Sequence, residues 1–170
     1  IQLELTRRGI PFEVTSGLRF FEQAHVKDVA AFLKFAVNPS DETAFRRMVR
    51  LLPGVGEKTA DTLWSVVRAG VESAAPFGQV LRMAKPPVRA AKIWEQLAAT
   101  LDEIAPERKP IAPDRAIESI MEAFYEDYMK AEFANFENRR EDLRTLAGYS
   151  RQFTSTDEFL AQLALLTNVD

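Results

Sequence analysis

Residues 51–59 read Leu-Leu-Pro-Gly-Val-Gly-Glu-Lys-Thr, and the fold turns on how this stretch is read. Two glycines flank a single apolar residue, with Pro53 before them and a run of helix-forming residues after. A glycine lets backbone approach a ligand without a Cβ in the way and accepts dihedrals that other residues resist. The free N–H groups of a helix start near Glu57 would face an anion, as would the positive end of its dipole. The pattern is that of a helix-hairpin-helix, with Val55 plugging the turn. Gly54, Val55, Gly56, Lys58 and Thr59 are the candidate contacts to a nucleic-acid backbone. Arg46, Arg47 and Arg50 just before the turn, and Arg68 at the end of the next helix, would widen the positive surface. Contacts of this kind hold a duplex in place without reading its bases. The plainer alternative is a glycine turn between two packed helices, and Glu57 argues mildly against close phosphate contact.

The same residues do not make a nucleotide-binding P-loop. That loop needs glycine directly before the lysine and a strand before the loop. Here Glu57 precedes Lys58, and residues 41–51 have helical periodicity. The chain offers no other glycine-rich segment, so ATP hydrolysis by these residues alone is not expected.

Working outward, apolar spacing marks one helix after another. Val29, Phe32, Leu33 and Ala36 share a face over 25–36. Ser40 can cap a helix over 41–51. Ala60, Leu63, Val66 and Val67 line one over 57–68. Residues 69–85 are ambiguous. Pro86 and Pro87 can open a helix running to 104, with Ile93, Trp94, Leu97 and Leu101 inward. PERKPIAP, 106–113, reads as a linker-like turn. Pro113 suits a first helical turn, and Ile117, Ile120, Met121, Phe124 and Tyr128 form the stripe that follows. Glycine and proline are absent from 114 to 147, which allows two helices or one long bent one. Ser-Thr-Asp-Glu at 155–158 is a capping box before a last helix. At the front, 2–8 reads as a short helix and 10–14 as the only credible strand. The fold expected is an all-α domain.

Composition narrows the function. The 170 residues suffice for one domain with its own core. With a net charge of −3, any nucleic-acid contact must come from a local patch rather than overall attraction. Cysteine is absent and there is one histidine, His25, which excludes disulfides and thiolate or structural zinc sites. Without a signal sequence or a membrane-length apolar run, the expected setting is the cytoplasm, with no membrane partner. The start IQLELTRRG enters what reads as mid-helix, as in a segment of a longer protein.

Other residues have unremarkable readings. Asp28, Asp41 and Glu42 suit helix caps or solvent, and His25 a surface or interface position. Glu57 and Asp61 lie one turn apart, a spacing that fits a shared divalent ion less well than a solvated face. Tyr125, Tyr128 and Tyr149 can stack on single-stranded bases but fit a core better. Arg82, Lys85, Arg89 and Lys92 form a second basic stretch, either solvated or an accessory phosphate surface.

In order and spacing the chain resembles the UvrD/Rep/PcrA helicases of superfamily 1. In that family a Gly-Ile-Pro-Tyr segment leads to Gly-x-x-Phe-Tyr/Phe-Glu-Arg-x-Glu-Ile-Lys-Asp. Asn-Pro, an acidic pair, Arg-Ile and Gly-Ile-Gly follow. The matching residues here are Gly9, Ile10, Pro11 and Phe12, then Gly17, Phe20, Phe21, Glu22, Lys27 and Asp28. Asn38, Pro39, Asp41, Glu42, Arg47 and Met48 come next, and then Gly54, Val55, Gly56 and Thr59. RREDLRTL, 139–146, resembles the family's Arg-x-Glu-Asn-Leu-x-Glu-Leu, and FLAQLALLTNVD resembles the stretch before helicase motif V. Residues 69–112 match only loosely. Gln23 stands where the family has arginine, His25 where it has glutamate and Asp142 where it has asparagine, so the contact of the first pair does not carry over.

The resemblance implies a parent enzyme that moves 3′ to 5′ along single-stranded DNA using ATP and Mg2+. This chain itself would hold no cofactor. Residues 1–20 would be a short piece of the second RecA-like motor domain or a connector. Residues 21–170 would be the inserted helical accessory domain, 2B, with its hairpin at 51–59. Its expected partners are double-stranded DNA or a single/double-strand junction and the motor domains of the same chain. Repair proteins or self-association come after these. An inserted domain also has ends that lie close together. The rival readings are a helical module of a repair nuclease or glycosylase, and a protein-interaction module of a repair or recombination nuclease-helicase of the AddA or RecB type.

Overall fold

A computed structural model describes residues 17–167 of the chain. The helix expected at 2–8 and the strand expected at 10–14 lie outside the described residues. Among the described residues every regular element is helical and there is no strand, as the periodicity implies.

The second helix organises the rest. After a short α1, Gly17–Glu22, the sequence AHVKDVAAFLKFAV forms α2, Ala24–Val37. It is apolar on nearly every side, and a helix of that kind must be surrounded. Ten of its residues are buried, His25 and Asp28 among them. Helices α3, Glu42–Val49, and α4, Glu57–Val71, follow on either side of the glycine turn. Then come α5, Phe77–Leu81, α6, Ala91–Ile104, α7, Pro113–Ile120, α8, Glu126–Glu132, α9, Phe136–Ser150, and α10, Thr156–Thr167. Helix α2 packs against α1, α3, α6, α7, α9 and α10, while α4 packs mainly on α3 and α5. The hairpin therefore stands out from the body on one side. Its base is tied in by a string of rings: Phe35 of α2 lies 5.7 Å from Phe45 of α3 and 5.3 Å from Phe77 of α5, and Phe45 lies 5.2 Å from Trp64 of α4. Burying each such ring contributes about 2–3 kcal/mol, which fixes the hairpin's direction.

Several local expectations shift. Asp41, not Ser40, caps α3, its carboxylate accepting from Ala44 N at 3.0 Å. Pro86 and Pro87 do not open an α-helix; a 3-10 turn over Val88–Ala90 intervenes before α6. The stretch 114–147 breaks at 133–135 without glycine or proline. There Phe133 turns extended and Arg139 of α9 stacks over its ring at 3.8 Å. Between α7 and α8 the helix widens into a π-turn, Met121–Tyr125. The turn moves the buried stripe on to Phe124, Tyr125 and Met129 and leaves Tyr128 half-buried. Before α10, Ser155 Oγ accepts from Glu158 N at 3.2 Å, and Glu158 reaches back to Thr154 N at 2.9 Å, one residue beyond the N-cap N–H that the standard capping box engages. The first and last described helices, α1 and α10, pack together; residues 1–16 and 168–170 are outside the described part. No described helix is long and apolar enough to cross a membrane.

Candidate nucleic-acid interface

The two glycines of the hairpin have different reasons to be there. Val55 N donates to Leu52 O at 3.3 Å, closing a turn with Pro53 and Gly54 at its centre. Gly54 has φ +79°, the value a type II turn requires at its third residue. Glycine is thus demanded at 54 by the fold itself. Gly56 has φ −101° and ψ −163°, which any residue adopts, and a Cβ built on it would meet nothing within 4 Å. Neither conformation nor packing inside the chain requires glycine at 56.

Gly56 caps α4 without a side chain, its carbonyl accepting from Ala60 N at 2.9 Å. Among the described residues, no acceptor meets the backbone N–H groups of Glu57, Lys58 and Thr59. They point outward at the positive end of a 15-residue helix. Lys58 is exposed and Thr59 half-buried, while Val55 is buried at 7% exposure and its N–H is already given to Leu52 O. The side chain of Val55 thus fills the turn, and no donor of that residue is left for a phosphate.

The arginines are placed differently from their sequence reading. Arg47 turns inward, its Nε donating to buried Asp28 at 2.7 Å. The other oxygen of Asp28 accepts from Tyr125 Oη at 2.5 Å. Arg47 therefore serves chiefly to anchor α3, and Asp28 is neither a cap nor solvated. Burial beside Asp28 pushes the Tyr125 hydroxyl well above its usual range. Arg46 sits between Glu42, at 2.7 Å, and Asp61. Arg50 remains exposed, with Glu57 at 3.7 Å. Glu57 and Asp61 thus each face an arginine rather than sharing an ion. Among the described residues no group of three histidine or acidic side chains could hold a metal.

A second loop joins the hairpin. Pro87 lies 3.7 Å from the Cβ position of Gly54, so the 3-10 turn at 88–90 abuts the glycine turn. Lys85 and Arg89, two residues to either side of Pro87, are exposed and have no carboxylate partner among the described residues. Arg82 is engaged by Glu95 at 2.9 Å. Sequence reasoning left this basic stretch unplaced, because nothing in its local pattern points to the hairpin 30 residues earlier. Val88, at 93% exposure, and Met83, at 60%, stand beside these cations.

Of the tyrosines, Tyr125 and Tyr149 are buried and Tyr128 lies half-buried over Tyr125, so none offers an open stacking face. Trp94 is core, its indole N–H donating to Leu81 O at 2.9 Å. His25 is not at the surface. It is 1% exposed, between Asp142 and Arg139 of α9.

Comparison with known proteins gives a consistent answer. The family model of the UvrD-like helicase C-terminal domain matches residues 1–169. DNA helicase II of Salmonella typhimurium is 29% identical over 91% of this chain and 22% of its own length. The Escherichia coli protein of the same name is 28% identical over the same shares. The ATP-dependent DNA helicase PcrA of Bacillus subtilis is 22% identical over 100% of this chain and 24% of its own length. The chain thus spans about a quarter of the length of these relatives.

Proposed function

The chain belongs to the UvrD-like helicase C-terminal domain family, and we propose that it is the duplex-contacting regulatory domain, 2B, of an ATP-dependent 3′–5′ DNA helicase. In this reading residues 1–20 lead from the second RecA-like domain and 21–170 are the accessory domain. ATP and Mg2+ act in the motor domains of the parent, the setting is cytoplasmic, and this part has no ATPase activity of its own.

One observation carries the reading: glycine stands at 56 where the fold has no need of it, next to outward-facing amides. A phosphate approaching that backbone supplies the missing reason. Gly54 shapes the turn, Gly56 clears the approach, and Lys58, Thr59 and Arg50 supply side-chain donors. Lys85 and Arg89 add charge from the neighbouring loop, and Arg47 holds α3 in place beneath. Every contact in this set is to backbone phosphate, so the grip is independent of sequence. With a net charge of −3 over the chain, the grip is local and weak, suiting a domain that must let duplex move past it.

The test is binding of the chain to a labelled duplex with a 3′ single-stranded tail, at low and rising salt. Gly56→Leu, which adds bulk and no charge, is compared at equal thermal stability. Binding by the wild type that falls with salt and is lost in Gly56→Leu supports the reading. Equal binding by the folded variant removes the hairpin from the interface.

A second reading is favoured by the exposed Met83 and Val88 beside the same cations. An apolar pair of that exposure suits a protein partner: the parent's motor domains, another copy, or a repair protein.

A further inference from the structure

Arginines and carboxylates on the outer face of the hairpin form two rungs. Arg46 and Arg50 are one turn apart on α3 and its C-terminal end, and Glu57 and Asp61 are one turn apart on α4. Arg46 meets Asp61 and Arg50 meets Glu57, an antiparallel ladder across the two helices. The rungs are unequal. Arg46 is held by two carboxylates, Asp61 and Glu42. Among the described residues Arg50 has only Glu57, at 3.7 Å, with the two side chains 53% and 80% exposed. The loose rung is the one beside the open backbone of Gly56.

We propose that Glu57 is a built-in competitor for the phosphate site, occupying Arg50 and the positive end of α4 until a phosphodiester displaces it. This inference rests on the hairpin reading above and deepens it. An exposed pair at that distance contributes little and exchanges readily. When a phosphate takes Arg50, the Glu57 carboxylate is left without its partner, beside the incoming anion, and draws a cation from solution. That uptake cancels one of the counterions released from the DNA. The domain therefore grips duplex less tightly, and with a shallower salt dependence, than its count of cations implies. The closed rung, Arg46 with Glu42 and Asp61, keeps the helices in register while the open one exchanges.

The experiment measures duplex affinity of the chain against salt for the wild type, Glu57→Gln, Asp61→Asn and the double variant Arg50→Gln/Glu57→Gln, with thermal melting to check each fold. Glu57→Gln is expected to bind roughly two- to fivefold tighter, the worth of an exposed pair. Its salt slope is expected to steepen by about 0.9, one further ion released. The double variant is expected to lose both gains, and Asp61→Asn to show neither. Wild-type binding with no gain, or a loss, in Glu57→Gln overturns the competitor role and leaves the hairpin reading standing. A double variant as tight as Glu57→Gln overturns the part assigned to Arg50. Failure of every folded protein to bind at low salt overturns the hairpin reading, and this inference with it.

Discussion

The imidazole of His25 and the carboxylate of Asp142, 117 residues apart in sequence, meet with Nε2 2.9 Å from Oδ2. On the other side of the ring, Arg139 Nη1 lies 2.9 Å from Nδ1. A guanidinium can only donate, so Nδ1 is the bare nitrogen and Nε2 carries the proton it gives to Asp142. The partners thus assign a neutral ring in a single tautomer. Two of the positions where the sequence departs from the helicase pattern, 25 and 142, are thus in direct contact.

His25 makes stability depend on pH in a defined window. Burial lowers its pKa below the ordinary 6.5, outweighing Asp142, with Arg139 adding to the lowering. Between the folded pKa and 6.5 the unfolded chain binds more protons, so stability is fully present above 6.5 and is lost as pH falls through the folded value. His25 is the only histidine, so a single imidazole resonance reports it, with an expected midpoint below 6.5. Urea unfolding of His25→Gln should show a flatter profile than the wild type as pH falls from 6.5 through the folded value.

The hairpin glycines should separate in a stability assay. Gly54→Ser forces a side chain into a positive-φ position and should cost about 1–2 kcal/mol. Gly56→Ser enters open space at a capping position where serine is at least as good, and should change stability by only a few tenths of a kcal/mol. Equal losses in the two denaturation midpoints would mean that Gly56 is a folding residue.

Tyr125→Phe leaves the Asp28 carboxylate with Arg47 alone. The expected loss is about 1–2 kcal/mol, read from urea unfolding, with α3 loosened where it enters the hairpin.

Two glycines in helices should respond in opposite directions. A methyl at Gly78 collides with Asp102 Oδ2, whose other oxygen accepts from Gly78 N at 2.9 Å. Gly78→Ala should therefore destabilise by about 1–3 kcal/mol. Gly148 lies in the last turn of α9, in helical conformation, with nothing within 4 Å of its Cβ position. Gly148→Ala should stabilise by about 0.5–1 kcal/mol. Paired melting curves check both.

Period and punctuation made the helical order and the glycine turn legible, since both are local signals. What escaped is tertiary. PERKPIAP reads as a linker, yet Arg108 within it donates to the carbonyls of Ala75, Val71 and Ser73 at 2.8, 2.8 and 2.7 Å and lies over the Phe77 ring. It closes the far end of α4, and no residue near it in sequence hints at that. The pairing of Arg46 and Arg50 with Asp61 and Glu57 was half visible, because spacings of four on either side of a hairpin can form rungs. The inward turn of Arg47 was not, because it depends on Asp28 being buried by helices that come much later in the chain.

The wide turn at Met121–Tyr125 sets the chain's tolerance to changes of length. It holds one residue more than an α-turn would, without a break in the helix. Removing one residue there would close the wide turn to an ordinary α-turn and leave α7 and α8 in phase, re-aiming only the side chains of the turn itself, Tyr125 with its bond to Asp28 among them. The same deletion in the exposed stretch at 134–135 would shorten a connection and leave both flanking helices in phase. One-residue deletions in relatives of this domain are accordingly expected at either site, and at the former they should come with loss of the wide turn.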